Sequence, residues 1–146
     1  MSGSESAWFP IESGVRQGCV LAADSFATGM DWVLERTVAA THGVSFGQHS
    51  FTDLDFADDV CLLAELLELL VPALETMASE SAPLGLEVNW LKTKVQALGS
   101  RKDKPTTVTV LGNEVAVVDE FVYLGSFLHS PTQSSPEVAR RNAKCY

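Results

Sequence analysis

The chain has 146 residues, 46% of them apolar and 20% charged, which excludes a disordered, collagen-like or disulfide-stapled protein. This is one ordinary domain's worth of chain, or a piece of a larger one, and enough to bury roughly two-thirds of the unfolded surface. The net charge of −9 is uneven: residues 1–91 carry 14 acids against Arg16 and Arg36, whereas residues 92–146 carry 8 basic residues against 5 acids. Nucleic-acid affinity comes mostly from basic side chains on phosphates, so this balance argues against tight autonomous binding of RNA or DNA.

No uncharged apolar run reaches the roughly 18 residues of a membrane span, the richest stretch (61–74) being broken by Glu65 and Glu68. The start, Met1-Ser-Gly-Ser-Glu-Ser, has neither the basic residues nor the apolar run of a signal peptide. Cys19, Cys61 and Cys145 lack any Cys-x-x-Cys spacing and are expected as reduced thiols in an intracellular protein. His42, His49 and His129 make no metal-ligand spacing with them.

In chain order, residues 9–11 are expected to be extended and to end in a turn at Glu12-Ser-Gly14. A helix is expected over about 24–40, because Phe26, Met30, Val33 or Leu34, and Thr37 or Val38 recur at the spacing of one buried stripe. His42-Gly43 ends it. Two β-rich runs within 50–64, flanking Ala57-Asp-Asp59, predict a hairpin with the carboxylates at its tip. Leucines return to helical spacing over about 66–82, with Pro72 tolerable only in the first turn. Pro83-Leu-Gly85 stops that helix. Strands are expected at 86–90 and 94–98, a charged turn at 101–105, and a hairpin of 108–111 with 115–118 around Gly112-Asn113. A last strand begins at Phe121, and the Ser/Pro-rich residues 130–136 are expected to be mobile. The order predicts an α+β layout, an antiparallel sheet carrying two helices packed on one face.

Several segments could carry chemistry. Neighbouring carboxylates such as Asp58-Asp59 can hold Mg²⁺, and Mg²⁺ pairs activate an attacking hydroxyl and stabilise a leaving phosphate oxygen. The same pair is also an ordinary polar turn. Asp53 and Asp55 lie close by, and four acids within seven residues repel one another unless a cation or basic partner neutralises them. Gly14-Val-Arg-Gln-Gly18 offers backbone N–H groups, Arg16 and Gln17 to a phosphate or base, or is a plain loop. Lys92 and Lys94 follow Gly85-Leu-Glu-Val-Asn89, and Phe121-Val-Tyr-Leu-Gly125 alone reads as a core strand.

Taken in order, these segments resemble the reverse-transcriptase palm of non-LTR (LINE-type) retrotransposons. Gly14-Val-Arg-Gln-Gly-Cys-Val-Leu21 is similar to that family's template and nucleotide segment, and Phe56-Ala-Asp-Asp59 to its aromatic-x-Asp-Asp metal box. Gly85-Leu-Glu-Val-Asn89 with Lys92-Thr93 resembles the next motif, and Tyr123-Leu-Gly-Ser126 the primer-gripping one. The resemblance covers about residues 9–130. It implies RNA-templated DNA synthesis by two-metal phosphoryl transfer, with Mg²⁺ or Mn²⁺ as cofactor and RNA template, DNA primer and dNTP as partners. It implies Asp58 as a ligand of the catalytic metals with Asp59 beside it. Arg16, Gln17, Gly18 and Lys92 would lie at nucleotide and template, and Phe121, Tyr123, Leu124 and Gly125 at the primer end.

The expected organisation is then a disordered start (1–8), a truncated polymerase palm (9–129) and a mobile tail (130–146). The family's upstream metal-binding aspartate strand finds no counterpart ahead of Gly14, and Glu5 and Glu12 do not replace it. Fingers and thumb have no counterpart either. Ala22-Ala23-Asp24 stands where the family usually has a Pro-containing turn. The expectation is a fragment inactive by itself. The alternatives are a half-site completed in trans by another chain, and a non-enzymatic acidic module that binds a basic partner.

Overall fold

A computed structural model describes residues 18–39, 41, 43–98 and 105–129. Arg16, Gln17, the extended piece at 9–11, residues 101–104 of the charged turn and the tail from 130 lie outside the described residues. Helix α1 spans Ala22–Val38 and buries Met30, Val33, Leu34 and Thr37, the stripe its spacing predicts. It starts two residues earlier than expected, its first turn closed by Ala22 N–H to Cys19 C=O at 3.1 Å. Buried Thr37 meets its polar requirement locally, its hydroxyl donating to Val33 C=O at 2.8 Å.

Helix α2, Leu67–Ser81, lies against α1, and Arg36 Nε joins the two at 2.8 Å from Glu80 Oε2. Pro72 is the sixth residue of α2, not in the first turn as its chemistry would favour. The helix accommodates it because Pro72 and Glu68 are both exposed, so the Glu68 carbonyl that loses its N–H partner faces water. A short 3₁₀ turn, Ala82–Leu84, ends at Gly85 in the left-handed conformation (φ 72°).

The strands fall into four small sheets. β1 (Val44–Phe46) pairs with β2 (His49–Phe51), and β3 (Asp53–Phe56) with β4 (Asp59–Leu62). β5 (Lys94–Gln96) runs parallel to β7 (Asn113–Val118), which pairs antiparallel with β6 (Thr107–Val110). β8 (Glu120–Tyr123) pairs with β9 (Ser126–His129). The class is α+β, with antiparallel pairing everywhere except β5–β7.

The main core lies between α2 and the three-stranded sheet: Leu74, Val95, Val108, Val110 and Val115, flanked by Leu62, Leu67, Leu70, Val71, Trp90 and Val117. Gly43, just past α1, stands where a Cβ would collide with the Phe51 carbonyl, so the close approach of this loop to β2 requires glycine.

Two local expectations fail. Residues 86–90 alternate in polarity but form no strand. Asn89 instead folds the chain over, its carbonyl accepting from Lys92 and Thr93 N–H at 3.0 and 2.9 Å. The β6–β7 turn is Leu111-Gly112, one residue earlier than expected, because Asn113 opens β7 opposite Val110. Both turn residues have positive φ (49° and 78°), the backbone of a type I′ turn, which favours Asn-Gly over Leu-Gly. Leu111 is 57% exposed and has no packing to lose. Leu111→Asn should therefore raise stability by roughly 0.5–1 kcal/mol, whereas Val115→Ala, at a fully buried position, should lower it by roughly 1–3 kcal/mol. Urea unfolding midpoints of the two variants check both signs.

Candidate active site

In the β3–β4 hairpin Leu54 faces Cys61 and Phe56 faces Asp59. Strand alternation therefore puts Leu54, Phe56, Asp59 and Cys61 on one side, and Asp53, Asp55, Val60 and Leu62 on the other. Leu62 packs on the main core, whereas Leu54 and Phe56 are 48% and 65% exposed. The connection is the two-residue turn Ala57-Asp58, with Asp59 opening β4. Ala57 has φ 57° and Asp58 does not share the positive sign, the φ pattern of a type II′ turn, whose first position is normally glycine. An alanine there costs about 1 kcal/mol or more, so this turn is held under strain by its surroundings.

The carboxylates of Asp58 and Asp59 are exposed, and no ion pair among the described residues engages either. Carboxylate oxygens are the donors a hard divalent cation takes. Their number falls short, because no three His, Cys, Asp or Glu side chains converge among the described residues. Two neighbouring exposed carboxylates, one in the turn and one opening β4, match such a cation in chemistry and do not complete a cage for two of them.

The β8–β9 hairpin meets this turn. Its own loop is Leu124-Gly125 (φ 48° and 80°), and Tyr123 is the last residue of β8 before it. The Tyr123 hydroxyl lies 3.1 Å from Leu54 C=O and 3.2 Å from Asp59 C=O, reaching one carbonyl on each strand of the aspartate hairpin. Desolvation by burial, then the negative charges of Cys61, Asp59 and Asp55, push the phenol above its ordinary value. Burial also raises the Cys61 thiol, which makes it a poor nucleophile.

At its far end the same hairpin is fastened to the sheet by Gln96, whose Nε2 donates to Asp119 C=O at 3.1 Å and Leu128 C=O at 3.2 Å. Neither Gln96 nor the strain at Ala57 has a sequence signal. Gln96 reads as one polar residue in a short apolar run, and Ala57 as a filler between Phe56 and Asp58.

Lys92 is exposed, and its backbone N–H is held by Asn89 Oδ1 at 3.2 Å. Lys94 is occupied, its Nζ donating to Leu91 C=O at 2.8 Å. Of the two lysines, Lys92 is thus the one whose ammonium has no partner among the described residues. Phe121 and Leu124 are 36% and 52% exposed, and Gly18 is exposed at the edge of the described chain. A shallow depression of about 640 Å³ is lined by Glu87, Asn89, Trp90, Asn113 and Glu114 among others, and by none of Asp58, Asp59, Lys92 or Tyr123. The structure brings Tyr123 to the aspartate turn and shows no contact between Lys92 and that turn.

Comparison with known proteins gives the family. The sequence profile of the reverse transcriptase (RNA-dependent DNA polymerase) family matches residues 1–126. The chain belongs to that family, whose members generally depend on divalent metal ions and bind RNA template, primer and dNTP. It is also 33% identical over 97 residues to an uncharacterised transposon-derived protein of Caenorhabditis elegans, covering 63% of this chain and 34% of the relative. The chain thus spans about a third of the length of that curated relative. No solved structure matches. Among the described residues no helix is long and apolar enough to cross a membrane.

The two tyrosines, Tyr123 and Tyr146, allow a direct test of the raised phenol. An ultraviolet titration should contain a phase above the ordinary value of about 10, and Tyr123→Phe should remove that phase. The folded state holds this proton more tightly than the unfolded chain. Stability is therefore unaffected below about pH 10 and falls as pH rises through the folded value. Urea midpoints measured across that window should fall less steeply for Tyr123→Phe.

Proposed function

We propose that the chain is part of a LINE-type reverse-transcriptase palm that contributes Asp58 and Asp59 to a metal site and does not synthesise DNA by itself. The observation that carries this reading is the exposed hairpin tip, with Asp58 in its turn and Asp59 opening β4, within a chain of reverse-transcriptase family. The transposon-derived relative supports the element's class. The reaction is attack of a primer 3′-hydroxyl on the α-phosphate of a dNTP, with pyrophosphate leaving. A divalent cation supplies charge neutralisation in that chemistry. The chain's own residues act around it. Asp58 and Asp59 offer oxygen donors, Lys92 offers a positive charge for the triphosphate, and Gly18, Arg16 and Gln17 serve nucleotide and template. Phe121, Tyr123, Leu124 and Gly125 support the primer end.

Inactivity alone is supported by the shortfall of donors among the described residues. A site with part of its cage lacking loses both affinity and positioning. Completion by another chain is favoured by the 65% exposure of Phe56 beside carboxylates that have no basic neighbour among the described residues. On this reading the working protein is intracellular.

The purified chain with a primed RNA template, dNTPs and Mg²⁺ or Mn²⁺ should extend no primer. Extension that Asp58→Ala abolishes would overturn the claim of inactivity and establish a complete site. If a second chain restores extension, Asp58→Ala should again remove it, by several orders of magnitude.

A further inference from the structure

We propose that the Tyr123 hydroxyl is a positioning group for the aspartate turn, pinning the β8–β9 hairpin across both strands of β3–β4 and so fixing where Asp58 and Asp59 are presented. The proposal rests on the reading of that turn as the catalytic one.

Three observations carry it. The hydroxyl stands within hydrogen-bond distance of Leu54 C=O and Asp59 C=O, which belong to opposite strands and lie close to the turn. One proton shared between them ties the strands to each other and to Tyr123. Among the described residues the β3–β4 and β8–β9 pairs are each two-stranded sheets with no third strand, and an isolated two-stranded hairpin is marginal in water. The aspartate turn therefore depends on what lies against it, the more so because Ala57 holds a strained φ of 57°.

Finally, the pin has an anchored base. Gln96 joins Asp119 C=O and Leu128 C=O to β5, and Val95 beside it is buried in the main core. A continuous line of bonds thus runs from the core sheet through Gln96, β8–β9 and Tyr123 to the turn. A phenylalanine at 123 would keep the ring's packing and lose this line at its last link.

The test uses the full chain with isotope labels, as wild type and as Tyr123→Phe. The carbonyl ¹³C resonances of Leu54 and Asp59 should shift toward weaker hydrogen bonding in the variant, a signature that ring packing alone does not move. Amide exchange over residues 53–62 should quicken by about threefold to tenfold, with residues 107–118 unchanged. Unmoved carbonyl shifts, unchanged exchange at 53–62, or equal acceleration at 107–118 would each overturn the pin.

If Tyr123→Phe does not fold, the wild type alone decides. The Tyr123 hydroxyl proton should be protected from exchange with water and show through-bond coupling to the Leu54 or Asp59 carbonyl carbon, and a freely exchanging, uncoupled hydroxyl sinks the proposal. Mn²⁺ separates this from the catalytic reading. Broadening of Asp58 and Asp59 in the wild type, needing more Mn²⁺ in Tyr123→Phe, supports both. No broadening even at millimolar Mn²⁺, where a pair of carboxylates alone still binds weakly, counts against the catalytic reading, while the carbonyl shifts still judge the pin.

Discussion

Helix α2 is gripped from two directions, and what carries chemistry hangs on that grip. On one side it lies against α1. On the other, Leu74 enters the layer formed by Val95, Val108, Val110 and Val115. Each such side chain contributes roughly 1.5–3 kcal/mol when fully buried, so this layer is where cooperative stability resides. The hairpins outside it bury little. β1 and β2 are exposed along their whole length, and β3–β4 reaches the core chiefly through Leu62. Their positions are set by single hydrogen bonds such as those of Gln96 and Tyr123, not by area removed from water.

The charge distribution follows the same division. Between Gly18 and Leu91 Arg36 is the one lysine or arginine, and it is engaged by Glu80 and by the face of Trp32 at 4.7 Å. No other lysine or arginine is left in that stretch to neutralise Asp53, Asp55, Asp58 and Asp59. The local excess of negative charge is a cost that the hairpin tolerates in water and that a cation or a basic partner would relieve. This agrees with membership of a family whose members generally depend on divalent metal ions.

How far the sequence foretold this depends on the range of each interaction. The buried stripe of α1 was legible because Met30, Val33, Leu34 and Thr37 repeat at helical spacing, and burial follows spacing directly. The β1–β2 hairpin was not, because a strand exposed on both faces leaves no alternation to read. The alternation at 86–90 misled because Asn89 gives the backbone a local turn that outcompetes pairing. Asp58 and Asp59 stood out by composition and by resemblance. Their support did not, since the Tyr123 hydroxyl meets partners 69 and 64 residues away in the chain. Contacts at that distance leave no trace in spacing.

On the proposed reading, a turn that must offer carboxylates to a cation cannot be stabilised by burying them. That constraint accounts for the way this one is built. Its tip is exposed, its first residue is strained, and its outer face leaves Leu54 and Phe56 in water. Position must then come from groups that bond the backbone and leave the side chains free, and carbonyl oxygens are the available handles. Tyr123 uses two of them and touches neither carboxylate of the pair. On that reading the aspartates keep their lone pairs for a cation, and the hairpin keeps its place.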